Sequence, residues 1–322
     1  MNTLLRTAAL AIILAWGAAL AQEPRYPTKP IRFIVASQPG GIADMTPRLL
    51  APRLQEGLGQ AIVIENRPGG GIVSGGETVA RASPDGYTLL SATPQVAIVQ
   101  SMVKDLSFDP RRDLAPVSLI GVIPNLVVVA PNRQLKTLAE LIAFARANPG
   151  KLNYSSTGAG TAVHLSAELF KHYAGVNIVH VPFKGAAAAM TALLAGTVDM
   201  TVETLSSSIS HIRSGKTRPL AVFSAQRLAL LPEVPTMIES GYKDLEMSAW
   251  GGVVTTGKTP QEIIARLDSE IGKALGHQPT AASYDKVGLS VRYMGAREFG
   301  KFWDAEIARF ALAIKASGAA KD

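Results

Sequence analysis

Three turns in this sequence bring glycines and hydroxyls to the start of a helical pattern, an arrangement that holds anions through backbone N–H groups. The first, Val35-Ala36-Ser37-Gln38-Pro39-Gly40-Gly41-Ile42-Ala43-Asp44, follows an apolar, β-branched run. Paired glycines permit a sharp turn with free N–H groups, and the following helix adds its positive end, so a carboxylate is a fitting guest. The same residues also read as an ordinary glycine-rich turn with Asp44 capping its helix. The second turn, Tyr154-Ser155-Ser156-Thr157-Gly158-Ala159-Gly160-Thr161, adds hydroxyl donors to that geometry. The third, Val181-Pro182-Phe183-Lys184-Gly185-Ala186, is again a strand followed by glycine and a small-residue helix start.

Motifs for other chemistries fail on inspection. Gly252-Val253-Val254-Thr255-Thr256-Gly257-Lys258-Thr259 matches the P-loop pattern letter for letter. A P-loop needs its Lys and Thr in the first helical turn, whereas Pro260 pushes Thr259 out of the helical region. Thr259 reads better as an N-cap with Pro260 as the first helical residue, and the β-branched run Val253 to Thr256 suits a strand. Gly158-Ala159-Gly160-Thr161-Ala162-Val163 carries only half a dinucleotide fingerprint, since Val163 stands where Gly or Ala is needed. The histidines 164, 172, 180, 211 and 277 show no metal-ligand spacing. His164 and His172, eight apart, could share a helical face, but read more simply as surface or core-edge residues. No G-x-S-x-G elbow surrounds any serine. No metal, cofactor or catalytic residue is expected.

The elements that position the turns alternate. Ile31–Val35, Ala61–Ile64, Tyr87–Leu90, Leu126–Val129, Val176–Val179, Leu220–Phe223 and Gly252–Val254 read as strands buried on both faces. Amphipathic segments lie between them, such as Leu138, Leu141, Ile142 and Ala145 ahead of the stop at Asn148-Pro149-Gly150. This alternation predicts an α/β architecture with parallel sheets. The stretch after Ser107 and the one around Ala249 to Gly252 read as two passages between domains. They predict a discontinuous domain 1 of residues 22–122 and 250–322, an inserted domain 2 of residues 123–249, and a ligand cleft between them.

Residues 1–21 say where the chain works. Arg6 is their only charge, an apolar run spans Ala8 to Leu20, and Ala19-Leu20-Ala21 has the small-x-small pattern of a signal-peptidase site. Thirteen apolar residues rise about 20 Å as a helix, short of a bilayer core of about 30 Å, so cleavage near Ala21 is expected rather than an anchor. Export to the periplasm removes ATP, NAD and cytosolic nucleic acid from the ligands to consider. The absence of Cys excludes disulfides, thiolate zinc sites and cysteine nucleophiles. With 47% apolar residues, a mature chain of this length can bury a large core. The net charge of +7 is scattered rather than striped, which suits small anions and not a nucleic-acid groove.

Several motifs together resemble one family. Tyr26-Pro27-Thr28-Lys29-Pro30-Ile31-Arg32, Pro39-Gly40-Gly41 with Asp44, Glu65-Asn66-Arg67-Pro68-Gly69 and Ser83-Pro84-Asp85-Gly86-Tyr87-Thr88-Leu89-Leu90 are similar to the periplasmic solute receptors of tripartite tricarboxylate transporters, the Bug receptors. So are Asn148-Pro149-Gly150-Lys151-Leu152-Asn153-Tyr154, Val179-His180-Val181-Pro182-Phe183-Lys184-Gly185 and Leu231-Pro232-Glu233-Val234-Pro235-Thr236. The resemblance implies a two-domain periplasmic-binding-protein fold of the Venus-flytrap, type II kind. It implies a receptor, expected as a monomer, that closes on a small organic carboxylate and delivers it to membrane permease subunits. A ligand-sensing receptor subunit, or a periplasmic hydrolase using Asp44 and Glu203 as acid and base, are the alternatives.

The resemblance assigns the carboxylate grip to Gln38, Pro39, Gly40 and Gly41 and to Ser156, Thr157, Gly158, Gly160 and Thr161, mainly through backbone groups. Asp44 matches a position that in amino-acid-binding relatives can meet an ammonium group. Lys184, Gly185 and Ala186 form the third element of the site, with Lys184 either touching the ligand or lying on the surface. Where relatives show Thr-Thr-His and Phe-Asp-Asn, this chain has Thr93-Pro94-Gln95 and Val202-Glu203-Thr204. Gln95 and Glu203 are thus placed to read the distal end of the ligand, or else are solvated rim residues. Two acidic candidates near the mouth disfavour a highly charged tricarboxylate, so a mono- or dicarboxylate, aliphatic or aromatic, is expected.

Overall fold

The β-branched run Ile31–Val35 (β1) sits inside a sheet, hydrogen-bonded in parallel to Ile62–Asn66 (β2) on one side and Thr88–Ala92 (β3) on the other. The structure is a computed structural model that describes residues 26–40, 42–68, 71–130, 132 and 134–318. The expected leader peptide and Gly41 therefore lie outside the described residues. Each of these three strands runs into a helix: α1 (Ile42–Leu58), α2 (Gly71–Ala80) and α3 (Pro94–Met102). A single turn, α4 (Pro110–Asp113), capped by the Asp109 side chain on Arg111 N–H, leads into the sixteen-residue strand β4 (Leu114–Val129).

Beyond β4 the alternation resumes with α5 (Leu138–Ala147), β5 (Asn153–Ser156), α6 (Ala162–Ala174), β6 (Val179–Pro182), α7 (Ala186–Leu194), β7 (Met200–Thr204), α8 (Leu205–Arg213) and β8 (Arg218–Val222). The chain then returns through β9 (Ser248–Thr256), α9 (Gln261–Gly276), α10 (Gln278–Lys286), β10 (Ser290–Gly295) and the long α11 (Ala296–Ser317). The strand order is β2-β1-β3-β9-β4-β7-β5-β6, with β8 and β10 also on β4.

One strand ties the two groups together. Leu114 to Pro124 of β4 pairs antiparallel with β9, while Asn125 to Val129 pairs antiparallel with β7 and β8. At about 3.3 Å per residue, β4 runs on the order of 50 Å through the sheet. The apolar side chains divide over the two faces. On one, α11 packs Phe299, Trp303, Ile307 and Phe310 into a core with Leu90, Val127, Leu165 and Tyr154, and Trp250 Nε1–H donates to Glu306 at 3.0 Å. On the other, Leu50, Leu54 and Leu58 of α1 meet Ile264, Leu267 and Ile271 of α9.

The α/β reading holds, and α5 buries the expected four residues, Leu138, Leu141, Ile142 and Ala145. Other expectations are corrected. The sheet is mixed, because β4 and β9 run against their neighbours, so it is not the parallel arrangement that the alternation predicts. Val63 and Val179 are 43% and 47% exposed, because β2 and β6 are the outer strands of the order. Of the expected strand Val176–Val179 only Val179 pairs, and the strand continues to Pro182 instead. Gly252 to Thr256 is strand, with Gly252 opposite Ala92 and Leu119, so the P-loop pattern has no phosphate loop. The N-cap of α9 is Pro260 rather than Thr259; Thr259 is buried, with its N–H on Thr256 O at 3.0 Å.

Candidate ligand-binding site

Parallel strands in an α/β sheet leave their carboxyl ends facing helix N-termini, and small molecules bind in that crevice. Here the ends of β1 and β3 and the starts of α1, α2 and α3 surround a cavity of about 220 Å³, lined by Ala36, Ser37, Ala43, Ile72, Ser91 and Gln95 among others. Ser91 is 2% exposed, and its Oγ has no hydrogen-bond partner among the described residues. Thr93 also lines the cavity, and it is the N-cap of α3 yet makes no side-chain cap bond. The hydroxyls of Ser37, Ser91 and Thr93 and the carboxamide of Gln95 thus stand at a site that offers the positive ends of helices.

The loop after β1 is shaped by Asp44. Its carboxylate accepts from Gly40 N–H at 3.0 Å, Arg48 Nε at 2.9 Å and Asn66 Nδ2 at 2.8 Å, and the residue is buried. Burial opposes its ionisation, but the bonds from Gly40, Asn66 and Arg48 outweigh that and hold the carboxyl below its ordinary range. The capping reading of Asp44 therefore describes its contacts, and the Gly40 N–H expected to be free is occupied by it. Gln38 and Pro39 lie exposed at the loop tip.

The second and third turns are joined. Gly185 N–H donates to Thr157 O at 3.3 Å and Phe183 N–H to Ser156 O at 3.1 Å, so the ends of β5 and β6 form one ledge. Thr161 caps α6 by accepting from His164 N–H at 3.4 Å, and its hydroxyl donates to Gly158 O at 2.8 Å. Gly158 and Gly160 have φ of +135° and +74°, conformations that favour glycine. A Cβ on Gly160 would lie 2.6 Å from Met102 Cε at the far end of α3, so this ledge abuts the helix whose first turn carries Gln95. Lys184 is exposed on the third turn and Ala186 opens α7.

The structure gathers the site residues unevenly. Gln95 lines the cavity together with Ser37, Ser91 and Thr93, which the sequence reading did not select, whereas no residue of the second or third turn lines it. Glu203 is 2% exposed on β7, with Oε1 taking Thr204 N–H at 2.9 Å and Oε2 without a partner among the described residues. It is therefore not a solvated rim residue, and burial pushes its carboxyl above the ordinary range against the bonds from Thr204 and Ser207.

Also unselected is a ring stack under the second turn. His164 is buried against His180 with ring centroids 4.0 Å apart, so it is not the surface or core-edge residue expected, whereas His172 is exposed as that reading has it. No group of three His, Cys, Asp or Glu side chains among the described residues could hold a metal ion. A larger cavity of about 740 Å³, lined by Ile142, Arg146, Arg218 and Tyr242 among others, lies elsewhere. Arg218 pairs with Val129, at the end of β4 away from Asn125, and no turn residue reaches that cavity. Size alone does not make it the site; the smaller cavity has the strand ends and helix starts.

The profile described as tripartite tricarboxylate transporter family receptor matches residues 46–319. The chain belongs to that family. It is 35% identical to protein BugT of Bordetella pertussis over 321 residues, 99% of this chain and 98% of that protein. Among solved structures it is similar to Rpa4515 of R. palustris with adipate, at 34% identity and TM-score 0.77, covering 91% of this chain and 98% of that one. It is also similar to MatC of Rhodopseudomonas palustris with bound malate, at 26% identity and TM-score 0.74, covering 90% and 100%. The receptor has the two-domain α/β fold of periplasmic binding proteins, and among its described residues no helix is long and apolar enough to cross a membrane.

Proposed function

We propose that this receptor is exported, captures a small mono- or dicarboxylate in the periplasm, and hands it to the permease of a tripartite tricarboxylate-type transporter. The observation that carries the reading is the cavity at the ends of β1 and β3, where the Ser91 hydroxyl is buried without a partner among the described residues, beside Thr93 and Gln95. A buried hydroxyl left unpaired is costly, and a ligand oxygen would satisfy it. Relatives solved with adipate and malate give the ligand class its chemistry.

In this reading the lobes are residues 22–122 with 250–322 and residues 123–249, and β4 and β9 are the crossings about which they close. A carboxylate that meets donors from both lobes favours the closed form by its differential affinity. Binding rather than catalysis is supported by the carboxyl groups that a hydrolase would need. Asp44 is saturated by three donors and Glu203 is buried on a different element. Arg48 also pairs with Asp44 and so offsets one of the two negative charges held to disfavour a highly charged tricarboxylate.

A thermal-shift panel of organic acids including adipate and malate tests this. An acid present at a hundred times its dissociation constant should stabilise the fold by about 2.7 kcal/mol. A panel in which no acid raises the melting temperature would refute the reading.

A further inference from the structure

We propose that uncharged His164, stacked on His180 beneath the Gly158 to Thr161 turn, is a positioning residue for ligand capture, so that the receptor's grip loosens when His164 takes a proton. The inference rests on the proposed carboxylate reading and concerns the regulation of that same site.

The geometry is specific. Gly160 N–H donates to His164 Nδ1 at 3.1 Å, so that nitrogen must be an acceptor and the ring proton sits on Nε2. His180 Nε2 lies 2.7 Å from Ser156 Oγ, which also takes Gly158 N–H at 3.2 Å and reaches Gly158 O at 3.2 Å. One ring thus fixes Gly160 and the other fixes Gly158, the two left-handed residues that shape the turn. The rings stack at 26° with centroids 4.0 Å apart, and Tyr154 of β5 stacks on His180 at 4.8 Å.

The surroundings favour the uncharged ring. Tyr154 O–H donates to Glu168 Oε1, and Lys171 Nζ donates to the same oxygen at 2.6 Å, so the nearest carboxylate is committed. Glu168 Oε1 remains 3.9 Å from His164 Nε2, beyond hydrogen-bonding reach. Among the residues that shape this pocket, β5 contributes Tyr154 and Ser156, β6 contributes His180, α6 contributes Glu168 and Lys171, and α3 brings the uncharged Met102 against Gly160. His164 also sits in the first turn of α6, where the helix end is positive and disfavours a cation. Burial first, then His180 and Lys171, hold its pKa down to about 4 against the pull of Glu168.

A proton on Nδ1 would set two donors against each other at the Gly160 contact. The N–H of Gly160 must then turn away, and Met102 leaves it little room on the α3 side. The grip should therefore be intact at neutral pH and fail on strong acidification.

The test compares wild type, His164→Asn and His164→Leu by calorimetric titration with adipate and with malate, at about pH 7 and about pH 4. Because these acids protonate in the same range, each variant is read against wild type at the same pH, where the ligand's own titration cancels. Asn keeps an acceptor near the Nδ1 position and cannot take a proton. It should bind within about two-fold of wild type at neutral pH and lose less on acidification. Leu leaves the buried Gly160 N–H unpaired and should weaken binding about ten-fold at neutral pH while circular dichroism stays native.

Folded Leu binding as wild type does, or Asn showing the full acid loss of wild type, would overturn the proposal. Nitrogen-15 spectra of the histidine-labelled protein give a readout that needs no ligand. His164 should show an unprotonated Nδ1 down to about pH 4, and the Gly160 amide should lose exchange protection as that ring titrates. A His164 that titrates while the Gly160 amide is unmoved would also overturn it. Failure of wild type to bind any acid would sink the carboxylate reading, whereas the Gly160 response would still decide whether His164 holds the turn.

Discussion

Gly40 donates its backbone N–H to the Asp44 carboxylate at 3.0 Å, so the loop after β1 is closed onto the first turn of its own helix. Arg48 and Asn66 complete the same carboxylate, and the loop is pre-shaped by a charge that it contains itself.

Asp44→Ala should therefore destabilise the fold as well as the site. It strands the Gly40 N–H and the Asn66 amide, at a cost of about 1–3 kcal/mol, the half-exposed Arg48 adding little. Asp44→Asn should cost less, since one oxygen still accepts. Urea unfolding of the three proteins checks the order. Asp44 also has a lowered carboxyl pKa when folded, so its contribution is full above the unfolded value and is lost as pH falls through the folded one.

Ser91 separates stability from binding. Its hydroxyl is buried with no partner among the described residues, so Ser91→Ala should leave the melting temperature unchanged or slightly raised. The same change should weaken binding of the best organic acid by about ten-fold, the loss of one hydrogen bond to a charged group. Equal affinities for Ser91→Ala and wild type would show that the ligand does not touch this hydroxyl.

How much of this was legible depends on what each residue reveals locally. Leu138, Leu141, Ile142 and Ala145 mark their helix by spacing alone, and they are the residues it buries. The glycine turns were legible for the same reason, since φ of +74° at Gly160 and +96° at Gly185 is a local demand. By contrast β5, β7 and β10 carry sequences such as Asn153-Tyr154-Ser155-Ser156 that lack an apolar run, and the sheet holds them by pairing. Ser91 resembles any strand-end serine, and only the convergence of three helix starts makes it a lining residue. The His164–His180 stack depends on the β5–β6 register that sets Tyr154 opposite His180, sixteen residues from His164, and no spacing rule encodes it.

Gly252 to Thr259 should bind no nucleotide. Five of these eight residues belong to β9 and their backbone groups are committed to β3 and β4. Calorimetric titration with Mg-ATP should give no saturable heat. Saturable binding abolished by Lys258→Ala would revive the P-loop.

His164 also makes a stability prediction. Its folded pKa of about 4 lies below the ordinary histidine value of 6.5, so between these values the unfolded chain binds more protons. Stability is full above the unfolded value and falls as pH drops through this window, by an amount on the order of 2–3 kcal/mol. Denaturant unfolding at several pH values should show this slope in wild type and a shallower one in His164→Asn. Parallel slopes would mean that His164 does not titrate as described.

The most direct test of the central claim is equilibrium dialysis of the receptor against a mixture of organic acids that includes adipate and malate, followed by mass-spectrometric identification of what the protein retains. The account predicts retention of one acid molecule per chain, chemically unchanged, and a lower occupancy in Ser91→Ala at the same free concentration, set near the wild-type dissociation constant. Retention of no acid, or recovery of a converted product, would contradict a receptor that binds a small carboxylate at the ends of β1 and β3.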